Sequence, residues 1–257
     1  MRPDRAFGAL LALSLISVGL VAAVAARFLR AGIPGATQPE RVTAGHGLFM
    51  PGTSDLAIHL IGTALLCLLI AGGARALLVL LARLRQTRIF VRQLLAARAA
   101  PEPDVVAVAA RVGIAARLDV VASRHSLACC YGLWRPRVLV SSAFLDHLDR
   151  AELVAVLRHE AYHLARRDPL RLLIADAVAA LCSYLPLAGM LRDHHAVAAE
   201  LAADRHAAAA DMGRGLAAAL HKLINLAPRA TPATLPGATG ALSLRIAALL
   251  GEELPSH

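Results

Sequence analysis

Two long apolar segments constrain the fold of this chain more than any other feature. Residues 6–26 carry no charged side chain, and a second run extends from Leu56 to Ala74. Each run is long enough to cross the hydrocarbon core of a bilayer as a helix, and 58% of all residues are hydrophobic. The sequence therefore predicts two transmembrane helices, at about 6–26 and 56–80. A cleaved signal peptide is the competing interpretation of the first run, because small residues occupy positions 23–25.

Arginines flank both segments and predict their orientation. Arg2 and Arg5 precede the first segment, and a series of basic side chains follows the second: Arg75, Arg83, Arg85, Arg88 and Arg92. Because basic residues favour the cytoplasmic side, we expect the chain after about residue 82 to lie in the cytoplasm, and the loop at roughly 27–54 to lie outside. The basic segment Arg83–Arg98 is expected to lie against the anionic lipids of the inner leaflet, whereas the formal net charge of +9 comes almost entirely from arginine and indicates no function by itself. Nucleic acid is not expected as a partner, because no nucleic-acid-reading module is evident.

A His-Glu-x-x-His motif at residues 159–163 predicts a metal site. On a helix His159 and His163 lie one turn apart on the same face, so both imidazoles can reach one ion. Glu160, beside the first histidine, can take a proton from the water that attacks a substrate. These residues are the minimum that a zinc-dependent peptidase requires.

A second helical segment supplies the residues that such a site still lacks. Catalytic zinc has three protein ligands, and Glu200 is the candidate for the third. Asp204, one turn further along the same face, can accept a hydrogen bond from the second ring nitrogen of a ligating histidine. The alternative is that both are solvated charges on a surface helix. Arg205 and His206 are considered as stabilisers of the oxyanion that forms during hydrolysis.

Two neighbouring histidines, His194 and His195, are further candidates for that role. Their spacing favours no role at the metal. We interpret them instead as surface histidines at the start of a helix.

The apolar stretch at residues 170–191 lies between the two halves of this site. A single pass across about 30 Å of hydrocarbon would leave His163 and Glu200 on opposite faces of the bilayer. We therefore expect a helix at about 170–185, a reversal near 186–190, and a return through the helix that carries Glu200.

The remaining residues predict a mainly helical fold with a small sheet. Asp104 is expected to cap a helix that runs to about Leu118, and Asp149 with Glu152 forms a capping box before the metal-binding helix. Short segments rich in Val, Leu and Cys are predicted as strands: 119–123, 127–131 and 137–141. The fold class is thus a mainly α membrane protein with an α+β domain.

We expect three regions along the chain. Residues 1–82 form the membrane region, residues 83–227 form the domain with the metal site, and residues 228–257 form a linker with a short amphipathic helix. Whether the chain forms a homodimer is left open.

The order of motifs carries a resemblance to a known family. The segments in question are Gly132–Ser141, Leu145–Leu148, Asp149–Leu153, the His-Glu-x-x-His, Arg166–Pro169 and the Glu-x-x-x-Asp at 200–204. This succession, over about residues 105 to 210, resembles the integral-membrane gluzincin peptidases of the BlaR/MecR antirepressor family. The HtpX and CAAX prenyl endopeptidases are more distant relatives.

The resemblance implies a zincin-like domain with Zn2+ as cofactor, cleaving protein or peptide substrates at the cytoplasmic face of a bacterial cell membrane. It also implies that the substrate backbone pairs with an exposed strand edge, for which the candidates are Ala128, Cys129, Cys130 and Tyr131. The alternative for these residues is a simple core strand. Because the sequence ends at His257, we expect no penicillin-binding sensor domain after the protease.

Three functions follow as hypotheses. The first is a membrane zinc endopeptidase that cleaves a regulatory protein, as repressors are cleaved in signal transduction. The second applies the same chemistry to damaged or prenylated membrane substrates. The third is a catalytically silent receptor or scaffold, against which the intact residues of the metal motif argue.

Overall fold

The computed structural model describes residues 2–31, 53–209 and 213–226. In chain order the elements are α1 (Pro3–Ala31), α2 (Thr53–Ala96), β1 (Arg98–Ala99), α3 (Pro103–Val112), a 3₁₀ helix (Ala115–Arg117), β2 (Leu118–Val121), β3 (Ala128–Tyr131), β4 (Arg137–Ser141), α4 (Ser142–Leu145), α5 (Arg150–Arg166), α6 (Asp168–Leu181), α7 (Pro186–Ala208) and α8 (Gly213–Leu226). Most of the expected loop at 27–54 and all of the expected linker and helix at 228–257 lie outside the described residues.

The chain divides into two compact units. The first comprises Met1–Ala6, Ala82–Ile174 and Asp193–His257, and it is called the catalytic unit because it contains the motif from which the sequence predicts a peptidase. The second, called the apolar unit, comprises Phe7–Leu81 and Ala175–Arg192. The three regions predicted from the sequence, with boundaries at residues 82 and 227, stay a prediction.

The apolar unit contains the larger part of the two predicted membrane helices. Pro3–Arg30 and Leu56–Gln93 are long and apolar enough to cross a membrane. Large aliphatic side chains on them are exposed, among them Leu15 at 76% and Leu78 at 67%. Such exposure is costly in water and suits lipid. Both helices extend beyond the predicted 6–26 and 56–80, because good helix formers, arginine included, continue α2 past the apolar run.

The apolar stretch at 170–191 contains most of α6 and the start of α7, joined by a short turn. α6 has 14 residues, which gives a length of about 21 Å, too short for the hydrocarbon core. The turn lies at residues 182–185, slightly earlier than expected, because Pro186 begins α7, a helix position that proline favours. In the apolar unit, Cys182 and Ala188 pack with Leu10 of α1.

A four-stranded mixed sheet lies in the catalytic unit, with the strand order β1-β2-β4-β3. β2 pairs in parallel with β4, and the other pairs are antiparallel. Among the described residues β3 pairs with β4 alone, so one side of β3 is an edge of the sheet. The three predicted strands are present with shifts of up to two residues, whereas the two-residue β1 was not predicted.

The core of the catalytic unit surrounds α5. Buried side chains from the sheet, α5 and α8 form one cluster, including Val138, Leu157 and Leu216. α5 contacts α3, α8, β3 and β4, and the predicted capping box of Asp149 and Glu152 is present at its start. The helix that carries the metal motif is therefore held on several sides.

The prediction for α3 was wrong at both ends. Its N-cap is Glu102, with no side-chain capping bond, so Asp104 lies inside the first turn. The helix ends at Val112 because Gly113 adopts the left-handed conformation with φ 82°, which glycine tolerates without a Cβ clash.

One buried carboxylate joins all four strands. Asp119 of β2 is 1% exposed, and Tyr131 of β3 donates a hydrogen bond of 2.6 Å to it. Arg137 of β4 donates through Nη2 at 3.0 Å, and Arg98 of β1 forms an ion pair at 2.5 Å. Burial alone would raise the pKa of Asp119, but the hydrogen bonds from Arg137 and Tyr131 outweigh it and hold this pKa below its usual range.

Candidate metal centre

The three predicted metal ligands lie together in the catalytic unit. His159 and His163 are on α5 and Glu200 is on α7, and their candidate ligand atoms all lie within 4.8 Å of one another. The two Nε2 atoms are 3.1 Å apart. The carboxylate oxygens of Glu200 lie 3.7 Å from the Nε2 of His159 and 3.5 Å from the Nε2 of His163.

These distances suit a tetrahedral zinc ion. Ligand atoms at 2.0–2.1 Å from such an ion lie about 3.3 Å from one another, close to the separations given above. The histidine side chains are only 9% and 10% exposed, whereas the side chain of Glu200 is 39% exposed. The cluster thus offers two nitrogens and one carboxylate, and Glu200 lies on its most solvent-accessible side. A catalytic zinc site needs such a donor set and access for water.

Two carboxylates orient the imidazoles. The Nδ1 of His159 lies 3.0 Å from Asp204, the residue expected in this role. The Nδ1 of His163 lies 2.7 Å from Asp168, which the sequence interpretation had assigned only to the end of a helix. With a carboxylate beside the Nδ1 of each imidazole, the Nε2 lone pairs are available to a metal.

The sequence signal for Asp168 is weak but identifiable. It lies five residues after His163, just beyond the end of α5, where Arg167 takes a left-handed conformation with φ 54°. That turn returns Asp168 to the imidazole of His163. A helix pattern alone does not predict it, since the expected spacings of three and four residues miss this position.

The surrounding carboxylates favour positive charge at the two imidazoles. Burial alone would lower the pKa of His159, but hydrogen bonds to Asp204 and Glu200 raise this pKa to about 9. The pKa of His163 is likewise raised against the effect of burial, mainly by Asp168. A site with this excess of negative charge attracts a divalent cation as readily as protons.

Glu160 lies beside the edge strand. Its side chain is buried with those of the two histidines. Burial raises the pKa of the Cys130 thiol to about 12 and also raises that of Cys129, and the nearby charge of Glu160 adds to both shifts. Because α5 also contacts β3, the proposed proton acceptor and the predicted edge strand, Ala128–Tyr131, are neighbours.

Other residues considered at sequence level lie outside the ligand cluster. Arg205 and His206 are exposed, and the ring of His206 lies 5.5 Å from that of Tyr162. The interpretation of His195 as a surface residue was wrong. It is buried and its Nδ1 donates a hydrogen bond of 3.1 Å to the carbonyl oxygen of Pro3, because α7 begins earlier than expected. His194 is exposed, as predicted.

Replacing either orienting carboxylate should weaken metal binding. We expect Asp168→Asn and Asp204→Asn each to lower zinc affinity about 10–100-fold, because a neutral amide holds the imidazole less firmly and makes it less basic. Competition with a chromophoric chelator measures this affinity. The control is Asp146→Asn, which changes an exposed carboxylate in the same unit. Equal affinities for Asp168→Asn and the control would contradict the role given to Asp168.

Comparison with known proteins gives two matches. Residues 52–249 match the model of the family described as BlaR1 peptidase M56. A "Protease HtpX homolog" of Methanopyrus kandleri is 32% identical over 103 residues, which are 40% of this chain and 30% of that protein. The match thus spans less than a third of the length of that curated relative. Together these matches confirm the resemblance that the order of motifs indicated.

Proposed function

The chain belongs to the BlaR1 peptidase M56 family, and from this premise we propose that it is a membrane zinc endopeptidase with a zincin-like catalytic domain. One observation carries the proposal: three ligand atoms, from His159, His163 and Glu200, lie within 4.8 Å of one another. The family match and the HtpX relative support a membrane protease in general. The zinc-dependent mechanism rests on the residues of the site.

The chain's own residues account for most of the mechanism. A zinc ion held by His159, His163 and Glu200 would supply the Lewis acidity that polarises a peptide carbonyl and activates water. Glu160 accepts the proton of the attacking water and donates it to the leaving nitrogen. Asp168 and Asp204 keep the imidazoles oriented throughout. The oxyanion needs a further donor, and the expectation that Arg205 or His206 provides it stays a prediction.

Removal of the metal should abolish activity. With the purified full chain in detergent and an unfolded protein as substrate, a zinc chelator should lower the cleavage rate about a hundredfold or more, because the Lewis acid is worth several kcal/mol in the transition state. Stoichiometric zinc should restore the rate. A magnesium addition serves as the control, since magnesium prefers oxygen ligands. Cleavage that persists at full metal removal would contradict the proposal.

The substrate backbone is proposed to pair with the free side of β3. Support comes from the position of β3 at the sheet edge and from the proximity of Cys129 and Cys130 to Glu160. Main-chain hydrogen bonds give affinity in such a mode, while side-chain pockets set specificity.

Backbone methylation of a peptide substrate tests this pairing. Peptides methylated at alternate backbone nitrogens should lose hydrogen bonds to β3, and their KM should rise about tenfold. The matched control carries methyl groups on the intervening nitrogens, which point away from the edge. If both methylation patterns, and the unmethylated peptide, gave the same KM, the substrate would not bind as an added strand.

The membrane topology and the biological substrate are part of the proposal. Arginines after the second apolar segment support a multi-pass protein with a cytoplasmic active site. The first candidate substrate is a regulatory protein, by the resemblance to antirepressor peptidases. The similarity to an HtpX homologue favours, as the second candidate, processing or quality control of membrane proteins.

A further inference from the structure

A cavity of about 570 Å³ lies in the catalytic unit, apart from the metal ligands themselves. Its walls come from the first residues of α1, from one face of α7, and from Tyr162 of α5. All of its lining residues belong to the same compact unit. The volume lies in the range of small-molecule sites, which is about 300–1,000 Å³.

Unpaired arginines dominate the polar part of this cavity. Arg2, Arg5 and Arg205 all contribute to the lining. Within the described part of the chain, none of the three forms an ion pair with a carboxylate. Three guanidinium groups that line one cavity, with no carboxylate partner among the described residues, make a site for an anion, and their planar donors match phosphate oxygens well.

The carboxylate in the lining is already neutralised. Of the described residues that line the cavity, Asp4 is the only acidic one. Arg171 donates a hydrogen bond of 2.6 Å to it, and Arg166 forms a second ion pair with the same oxygen. The cavity therefore keeps a net positive charge.

Part of the lining is apolar. Val197 and Leu201, one turn apart on α7, line the cavity together with small alanine side chains. Val197 is 48% exposed. A cationic rim beside an aliphatic wall suits an amphiphilic ligand better than a small inorganic anion.

The position of the cavity along the chain indicates the source of that ligand. Residues 2–5 immediately precede the uncharged run of α1, and arginines at the start of a membrane helix lie at the level of the lipid headgroups. We propose that the cavity binds the phosphate headgroup of an anionic glycerophospholipid, with Arg2, Arg5 and Arg205 on the phosphate and the aliphatic wall against the start of an acyl chain.

The test measures lipid binding to the purified full chain in dodecyl maltoside. Short-chain phosphatidylglycerol should bind at least about tenfold more tightly than phosphatidylcholine by native mass spectrometry. Arg2→Gln, Arg5→Gln and Arg205→Gln, combined, should lower affinity for phosphatidylglycerol about a hundredfold, at roughly fivefold per arginine. The matched control combines Arg117→Gln, Arg124→Gln and Arg150→Gln, which remove the same charge from exposed positions of the same unit.

Because Arg2 and Arg5 also influence how α1 inserts, Arg205→Gln alone provides a second variant. It should weaken phosphatidylglycerol binding about fivefold and leave phosphatidylcholine binding unchanged. Equal binding of the two lipids, or an equal loss in the control variant, would overturn the proposal. So would displacement of phosphatidylglycerol by an acidic peptide or inorganic phosphate at similar concentration, which would assign the cavity to a different anion.

Discussion

Glu160→Gln is expected to lower the rate of peptide hydrolysis about 10²–10⁴-fold, the usual contribution of general acid–base catalysis. Glutamine keeps the size of the buried side chain but cannot accept the proton of the attacking water. The ligand cluster consists of His159, His163 and Glu200, so the variant should still bind about one equivalent of zinc. The measurements are kcat on an unfolded protein substrate and metal content by emission spectroscopy.

The matched comparison is Glu200→Gln, which changes a carboxylate of the same chemistry at the ligand position. This variant should lose zinc affinity together with activity, because a neutral amide is a poor zinc ligand. Zinc lost from Glu160→Gln would mean that Glu160 is itself a ligand. Full activity in Glu160→Gln would remove it from the mechanism altogether.

The same variant can identify the biological substrate. Protein fragments that are present in cells with the wild-type chain and absent with Glu160→Gln are products of the protease. A single regulatory protein among them would support the regulatory hypothesis, while many membrane proteins would support quality control. Identical fragment patterns under every condition would favour the silent scaffold.

The grouping of the candidate ligands was predictable because their positions follow from helix periodicity. His159 and His163 share a face at a spacing of four residues, and Glu200 and Asp204 do so on a second helix. That the two helices lie side by side follows from a different physical reason. A segment between them that crossed the membrane once would place His159 and His163 on one face of the bilayer and Glu200 on the other. The short turn between α6 and α7 agrees with that argument.

Several important contacts were not predictable because they depend on tertiary geometry. Asp168 reaches His163 through a left-handed residue at the end of α5, and the sequence does not specify that turn. His195 is buried against Pro3, more than 190 positions away in sequence. The three partners of Asp119 come together only in the strand order β1-β2-β4-β3, which periodicity within single strands cannot provide.

Asp119→Asn is expected to destabilise the catalytic unit by about 3 kcal/mol, at the lower end of the range for breaking a buried ion pair. The lower end applies because Arg98 and Arg137 are 56% and 34% exposed and can turn to solvent once the charge is lost. For a chain of this size the midpoint of thermal unfolding should fall by about 6–12 °C. The measurement is thermal unfolding of the full chain in detergent, followed by circular dichroism. In the control Asp146→Asn, which alters an exposed carboxylate, the midpoint of thermal unfolding should change by less than about 2 °C.

The pH dependence of the stability shows whether Asp119→Asn acts through the lost charge or through altered packing. Because the pKa of folded Asp119 is lowered, its stabilisation is complete above the unfolded pKa of about 3.9 and is lost as the pH falls through the folded value. The wild-type chain should therefore lose part of its stability below about pH 4, and Asp119→Asn should lack that part. At low pH the wild-type chain and Asp119→Asn should therefore have nearly the same unfolding midpoint. A difference that stays constant down to pH values below the folded pKa would mean that Asp119 acts through shape and hydrogen bonding, and the charge would not be what holds the four strands together.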